Sequence, residues 1–206
     1  MRPEAPIFEK IYTDYLTQVA AADFTRKADM LGVRIDGDAI EIPLFHKRFT
    51  VSPEGVFDLR GKRPHHAVSV LLCQYLLLCP ETPGADRELV TYKDFRHAAP
   101  YVDGFRNTVE RPIARHFSGR PEALETCCEN LRGVAADIGV ASDLSFGFKA
   151  LPEVPVFLLF NDRDDEFAAE CTLLFERRAG TFLDMECLAM IGGLLSQWLI
   201  SMDRNT

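Results

Sequence analysis

The chain has 206 residues, a formal net charge of -8, and 47% hydrophobic against 26% charged residues. That length suits one large domain, 1–206, and a chain of this size buries well over half of its unfolded surface without a metal or disulfide staple. The acidic balance excludes the basic footprint of a nucleic-acid binder. The six cysteines contain no C-x-x-C, which excludes a zinc knuckle or thioredoxin-type site and leaves free thiols of a reducing compartment.

Met1 to Pro6 carries no signal-peptide core, and the apolar stretch Ala67 to Cys79 is shorter than the roughly 20 residues of a membrane helix. A cytoplasmic protein with no membrane partner is expected. Ile7, Phe8, Ile11, Tyr12, Tyr15, Leu16 and Val19 recur at helical spacing, so the chain opens with an amphipathic helix. A shorter helix is predicted from Asp23 to Leu31, stopped by Gly32. The period then changes to that of strands. Val33 and Ile35 precede the turn Asp36-Gly37-Asp38; Ile40, Ile42 and Leu44 alternate with other residues; Phe49 and Val51 follow. Ser52-Pro53-Glu54-Gly55 suits a type I turn, and Val56 and Phe57 start another strand, completing an antiparallel meander.

Pro64 is predicted in the first turn of a helix whose body, Val68 to Leu78, is apolar almost all round and therefore central. Tyr92 to Phe95 offers one helical turn. Phe105, Val109, Ile113 and Phe117 form a stripe that Pro112 should kink or restart. Pro121 opens a helix with Leu124, Cys128, Leu131 and Ala135 on one face, ending near Gly139. Phe146 and Phe148 belong to a strand ending near Leu151-Pro152. The run Val156 to Phe160 and the segment Cys171 to Phe175 flank a polar loop and predict a hairpin. Asp184 caps a last helix with the stripe Leu188, Ile191, Leu195, Trp198, Leu199 and Met202. The fold class is α+β: an early meander and a late hairpin packed with several helices, one buried and central, one C-terminal and amphipathic.

Ala150-Leu151-Pro152-Glu153-Val154-Pro155-Val156, Asp165-Glu166-Phe167, Leu173-Leu174-Phe175-Glu176 and Phe182-Leu183-Asp184-Met185-Glu186 carry a family resemblance, supported upstream by Leu71 to Leu77 and Ala141-Ser142-Asp143. The chain resembles the bacterial and archaeal proteins labelled domain of unknown function three-seven-eight-six, seen mostly in anaerobes. Ser142 stands where that pattern has glycine. Iron–sulphur domains joined to some relatives imply anaerobic redox or one-carbon metabolism, although this chain has no cluster motif. The resemblance implies a fold unit and lineage but no catalytic residue and no cofactor.

The basic segment Arg60, Lys62, Arg63, His65 and His66 precedes the buried helix. Cations and free amides at a helix start favour an anion, so this is the candidate anion site; a solvated basic loop is the plainer alternative. The acidic loop Asp162, Asp164, Asp165 and Glu166, with Glu170 beyond, could hold a hard cation through oxygen. It lacks the calcium-loop spacing, and a solvated hairpin tip is the stronger reading. Arg106, Arg111, Arg115, His116 and Arg120 could line a cleft, or be a helix face paired with its own carboxylates such as Glu110. Cys127-Cys128 and most of the 15 phenylalanines suit core packing, and Gly192-Gly193 must admit a close approach, by backbone or by ligand.

With no recognisable catalytic constellation, the favoured expectation is a non-catalytic accessory protein that binds a small anionic ligand or a protein partner. The alternatives are an enzyme using Arg60 to His66 with Asp143 or Asp165 as base, and a structural subunit of an oligomer.

Overall fold

The computed structural model describes residues 6–82 and 84–204. The fold is α+β, with a four-stranded and a five-stranded sheet in which every pairing is antiparallel. Helix α1 (Pro6–Ala21) follows most of the predicted stripe: Tyr12 and Val19 are buried and Tyr15 and Leu16 pack on the core, but Ile11 is exposed. The side chains of Ile7 and Phe8 lie outside the described residues. Helix α2 (Ala28–Leu31) is shorter than the predicted 23–31 span. The Asp23 carboxylate accepts the Thr25 N–H at 2.9 Å, a local turn that competes with helix until the chain reaches Ala28. Gly32, at φ 63°, ends the helix as expected.

Strands β1 (Arg34–Asp36), β2 (Ala39–Leu44), β3 (Lys47–Ser52) and β4 (Gly55–Asp58) form the meander in chain order. Ile40, Ile42 and Leu44 turn inward by period-two alternation. Not foreseen from the sequence is the tight turn Phe45-His46 between β2 and β3, where Phe45 adopts φ 51°. A bulky residue there is a steric outlier. The Phe45 N–H donates to the Ala150 carbonyl at 2.8 Å, which anchors the tip to the second sheet.

That sheet orders β5 (Leu89–Thr91), β9 (Glu170–Glu176), β8 (Val154–Asn161), β7 (Leu144–Leu151) and β6 (Val134–Ala135). The predicted β8–β9 hairpin is its centre; Val156, Leu158 and Phe160 are fully buried, and Phe157 is half-buried. The central helix α3 (His66–Leu77) lies in the core as its all-round apolarity demands. Pro64 precedes its cap, His65, instead of occupying the first turn. Tyr75 donates to the Leu31 carbonyl at 2.7 Å, giving this buried hydroxyl a partner.

Pro112 leaves a signature more specific than a kink. Helix α4 (Val102–Phe105) runs into a π turn, Arg106–Glu110, and then into α5 (Arg111–Phe117). Proline cannot donate to the carbonyl of residue 108, and the wider turn absorbs the missing bond. Helix α6 (Pro121–Asn130) stops well before Gly139, and Ala135 lies in β6 rather than on the predicted helix face. Arg132 takes φ 62°, and a Cβ at Gly133 would come within 2.6 Å of the Phe148 ring and 2.9 Å of the Cys128 carbonyl. The chain turns there because Gly133 fits against β7.

Helix α7 (Met185–Asp203) starts at Asp184, whose carboxylate accepts the Cys187 N–H at 2.8 Å. Leu188, Ile191, Leu195 and Leu199 are fully buried; Trp198 and Met202 are half-buried. By length and composition α7, and not the 67–79 run, is long and apolar enough to cross a membrane. Here Leu188, Ile191, Leu195 and Leu199 pack in the core, while Met190 and Trp198 stay half-buried.

Candidate functional site

A cleft of about 980 Å³ lies between the meander, the loop leading into α3, and α7. Its β4–α3 side is shaped by Asp58. The Asp58 Oδ1 accepts the N–H groups of Lys62 at 2.8 Å and Arg60 at 2.9 Å, and Gly61 turns at φ 73°. Those amide bonds, led by that from Lys62, hold the Asp58 carboxyl below its ordinary pKa. His65 caps α3 by accepting the Ala67 N–H on Nδ1 at 3.3 Å. Arg60, Lys62, Arg63 and His65 all line the cleft; His66, the first residue of α3, does not.

The opposite lining was not legible in the sequence. The β2–β3 turn contributes His46, Lys47 and Arg48, and Arg132 reaches in from the end of α6. Six lining side chains are Lys or Arg, and Asp58 is the one carboxylate among them. Two of these cations are engaged: Arg48 pairs with Glu41 at 2.6 Å, and Arg63 pairs with Glu9 at 3.1 Å and lies over the Tyr12 ring. Lys47, Arg60, Lys62 and Arg132 form no ion pair within 4.0 Å among the described residues, although Arg60 and Lys62 lie near enough to help lower the Asp58 pKa.

Helix α7 supplies the apolar wall through Met190, Gly193, Leu194 and Trp198. Trp198 is fixed by edge-on contacts with Phe45 and His46, at 5.4 and 5.2 Å between centroids, and by the Lys47 Nζ 4.7 Å above its ring. The His46 Nδ1 is buried with no hydrogen-bond partner among the described residues. Burial first, and then the charges of Lys47 and Arg132, push the His46 pKa down, which keeps the ring neutral at pH 7. The cleft therefore joins a cationic wall to an apolar wall, with a neutral imidazole between them.

The acidic loop is built differently. The Asp162 Oδ1 accepts the N–H groups of Gly119 and Arg163, at 2.7 and 2.8 Å, and Asp164 Oδ1 accepts those of Glu166 and Phe167, at 2.8 and 2.6 Å. These carboxylates fold the tip, and among the described residues no group of three or more His, Cys, Asp or Glu could hold a metal. Asp143 accepts the Asp162 N–H at 2.7 Å; neither it nor Asp165 lines the basic cleft.

The arginines of the third candidate divide. Arg120 and His116 converge on Asp203, at 3.0 and 2.7 Å, and hold its carboxyl below the ordinary range, Arg120 contributing most. Arg106 and Arg111 line a second cavity of about 480 Å³ with Lys93 and Glu110. Glu110 pairs with neither helix neighbour as a surface face would have it; its Oε1 accepts the Leu173 N–H at 3.1 Å. Burial pushes its pKa up, against that hydrogen bond and the nearby Arg106 and Lys93.

A model of the family described as "Domain of unknown function (DUF3786)" matches residues 23–198, which include every residue of both cleft walls. No curated protein and no solved structure matches the chain.

Proposed function

Because the chain belongs to the DUF3786 family, whose description assigns no activity, we propose from the cleft itself that this protein binds a small anionic ligand without transforming it. One observation carries the reading: a chain of net charge -8 concentrates six Lys and Arg side chains on a single concave site with one carboxylate, four of them in no direct ion pair among the described residues. Grouping like charges is costly unless an anion shares the site. The N-terminal end of α3, at His65 and Ala67, lies on the same wall and adds the positive end of its dipole. Six free, buried thiols support a reducing, cytoplasmic setting, and an accessory role in anaerobic metabolism accords with the family resemblance.

Trp198, the single tryptophan, lies in the cleft wall, so its fluorescence reports on occupancy. Titration with inorganic pyrophosphate should give a saturable change that weakens with added salt. The double variant Arg60→Glu/Lys62→Glu should lose it. A flat titration, or one equal in the variant, would overturn the reading.

Glu110 supports a second reading, an enzyme acting on a small anionic substrate at the other cavity. A carboxylate of raised pKa beside Lys93, Arg106 and Arg111 suits a proton acceptor. Turnover in a panel of phosphate esters, lost in Glu110→Gln and retained in Arg60→Glu, would select it over the binding protein.

A further inference from the structure

The basic wall accounts for an anion but not for the rest of the cleft. Met190, Gly193, Leu194 and Trp198 line the cleft along nine residues of α7, whose eight steps rise about 12 Å at 1.5 Å each. Gly193 is the telling member. Glycine inside a helix costs about 1 kcal/mol relative to alanine, and a Cβ built there would meet nothing within 4 Å. No packing within the protein requires the missing side chain; its absence leaves a notch in the apolar wall. Trp198 stands about one and a half turns further along the helix, its ring already held by Phe45, His46 and Lys47. His46 belongs to the cleft lining, and its Nδ1 is buried behind that surface without a partner among the described residues.

Deepening the reading of the basic cleft, and resting on it, we propose that the ligand is of mononucleotide class: a flat heteroaromatic ring carrying a phosphate. The ring beds on α7 over Gly193, between Met190 and Trp198. The phosphate lies among Arg60, Lys62 and the start of α3, and the Lys47 ammonium sits at the junction of the two parts. A wall of about 12 Å admits a fused ring system and is too short for a long acyl chain. A simple inorganic anion would leave this wall empty, so ring and phosphate together should bind far more tightly than either part.

Isothermal titration calorimetry with AMP, FMN and inorganic pyrophosphate tests ring and anion sites separately, using wild type, Gly193→Leu, Gly193→Ser and Arg60→Glu/Lys62→Glu, each checked for a cooperative melt. At least one nucleotide is expected to bind tenfold or more tighter than pyrophosphate. Gly193→Leu should erase that advantage while leaving pyrophosphate unchanged; the smaller serine should erase part of it and serves if the leucine variant fails to fold. The basic-wall variant should lose all three probes. If pyrophosphate binds and neither nucleotide binds better, the ring site is wrong while the anion cleft stands. The ring site is equally excluded if the Gly193 variants keep the full advantage. If nothing binds wild type, both readings fall.

Discussion

The Leu173 N–H donates to the Oε1 of Glu110 at 3.1 Å, so a carboxylate on the π turn caps the edge of β9 where β5 has already ended. An edge amide buried without a partner would cost about 1–3 kcal/mol. Glu110→Ala should lose stability of that order, measured by urea denaturation. Glu110→Gln keeps the acceptor and removes a desolvated charge, so at neutral pH it should match or exceed wild type. The sign follows from the raised pKa: the stability Glu110 contributes is complete below its unfolded value near 4.5 and is lost as pH rises through the folded one. The glutamine variant should flatten that part of the pH profile.

Gly192 and Gly193 are chain neighbours with opposite surroundings. A Cβ at Gly192 would come within 2.7 Å of the Phe105 ring, which is stacked on Tyr92 at 4.1 Å and has no room to withdraw. Gly192→Ala should therefore cost about 1–3 kcal/mol in overpacking, enough to outweigh its gain in helix propensity. Gly193→Ala should gain about 1 kcal/mol, since only propensity changes. Thermal melts of the two variants should move in opposite directions.

His46 sets a pH dependence of the other sign. Its pKa in the fold lies below the ordinary value of about 6.5. The unfolded chain thus takes up this proton more readily, and the stability from the neutral ring, complete above that ordinary value, is lost as pH falls through the folded one. His46→Asn should reduce the loss of stability measured between neutral and mildly acidic pH. An anion bound beside Lys47 and Arg132 should raise the His46 pKa, visible as a shifted titration of its ring protons by NMR.

All six cysteines are buried and free, and burial pushes Cys73 up to about 12 and holds Cys171 well above the ordinary thiol value. Thiolate is the reactive form, so a thiol reagent such as dithionitrobenzoate should label the native protein slowly and all six positions rapidly in urea. Fast native labelling at Cys127 would contradict its burial beside α7.

Periodicity revealed the elements that are long or strongly patterned. The meander, the β8–β9 hairpin, α3 and α7 each carry enough repeats of a single period to be read directly. The outer strands β5 and β6 have three and two residues, too few to show any period, so the five-stranded sheet was legible only as its central hairpin. Pro112 announced an interruption, but a proline signal does not distinguish a kink from a π turn. Half of the basic cleft was visible at Arg60 to His65 as a cationic run in an acidic chain. His46, Lys47, Arg132 and Gly193 come from three other elements, and only the packing of the meander on α7 brings them together. The basic turn His46-Lys47-Arg48 was the available signal.

The Phe45-His46 tip has one further consequence. Its amide is fastened to Ala150 in the second sheet, and its rings clasp Trp198 on the last helix, so three regions distant in sequence meet at one turn. A molecule filling the cleft would act there as a keystone. It would bear on the meander, on the approach to α3 and on the last helix at once, and free energy gained by binding the native state raises the cost of opening all three. The two sheets, touching chiefly through this turn and its neighbours, would then yield to heat as a single block.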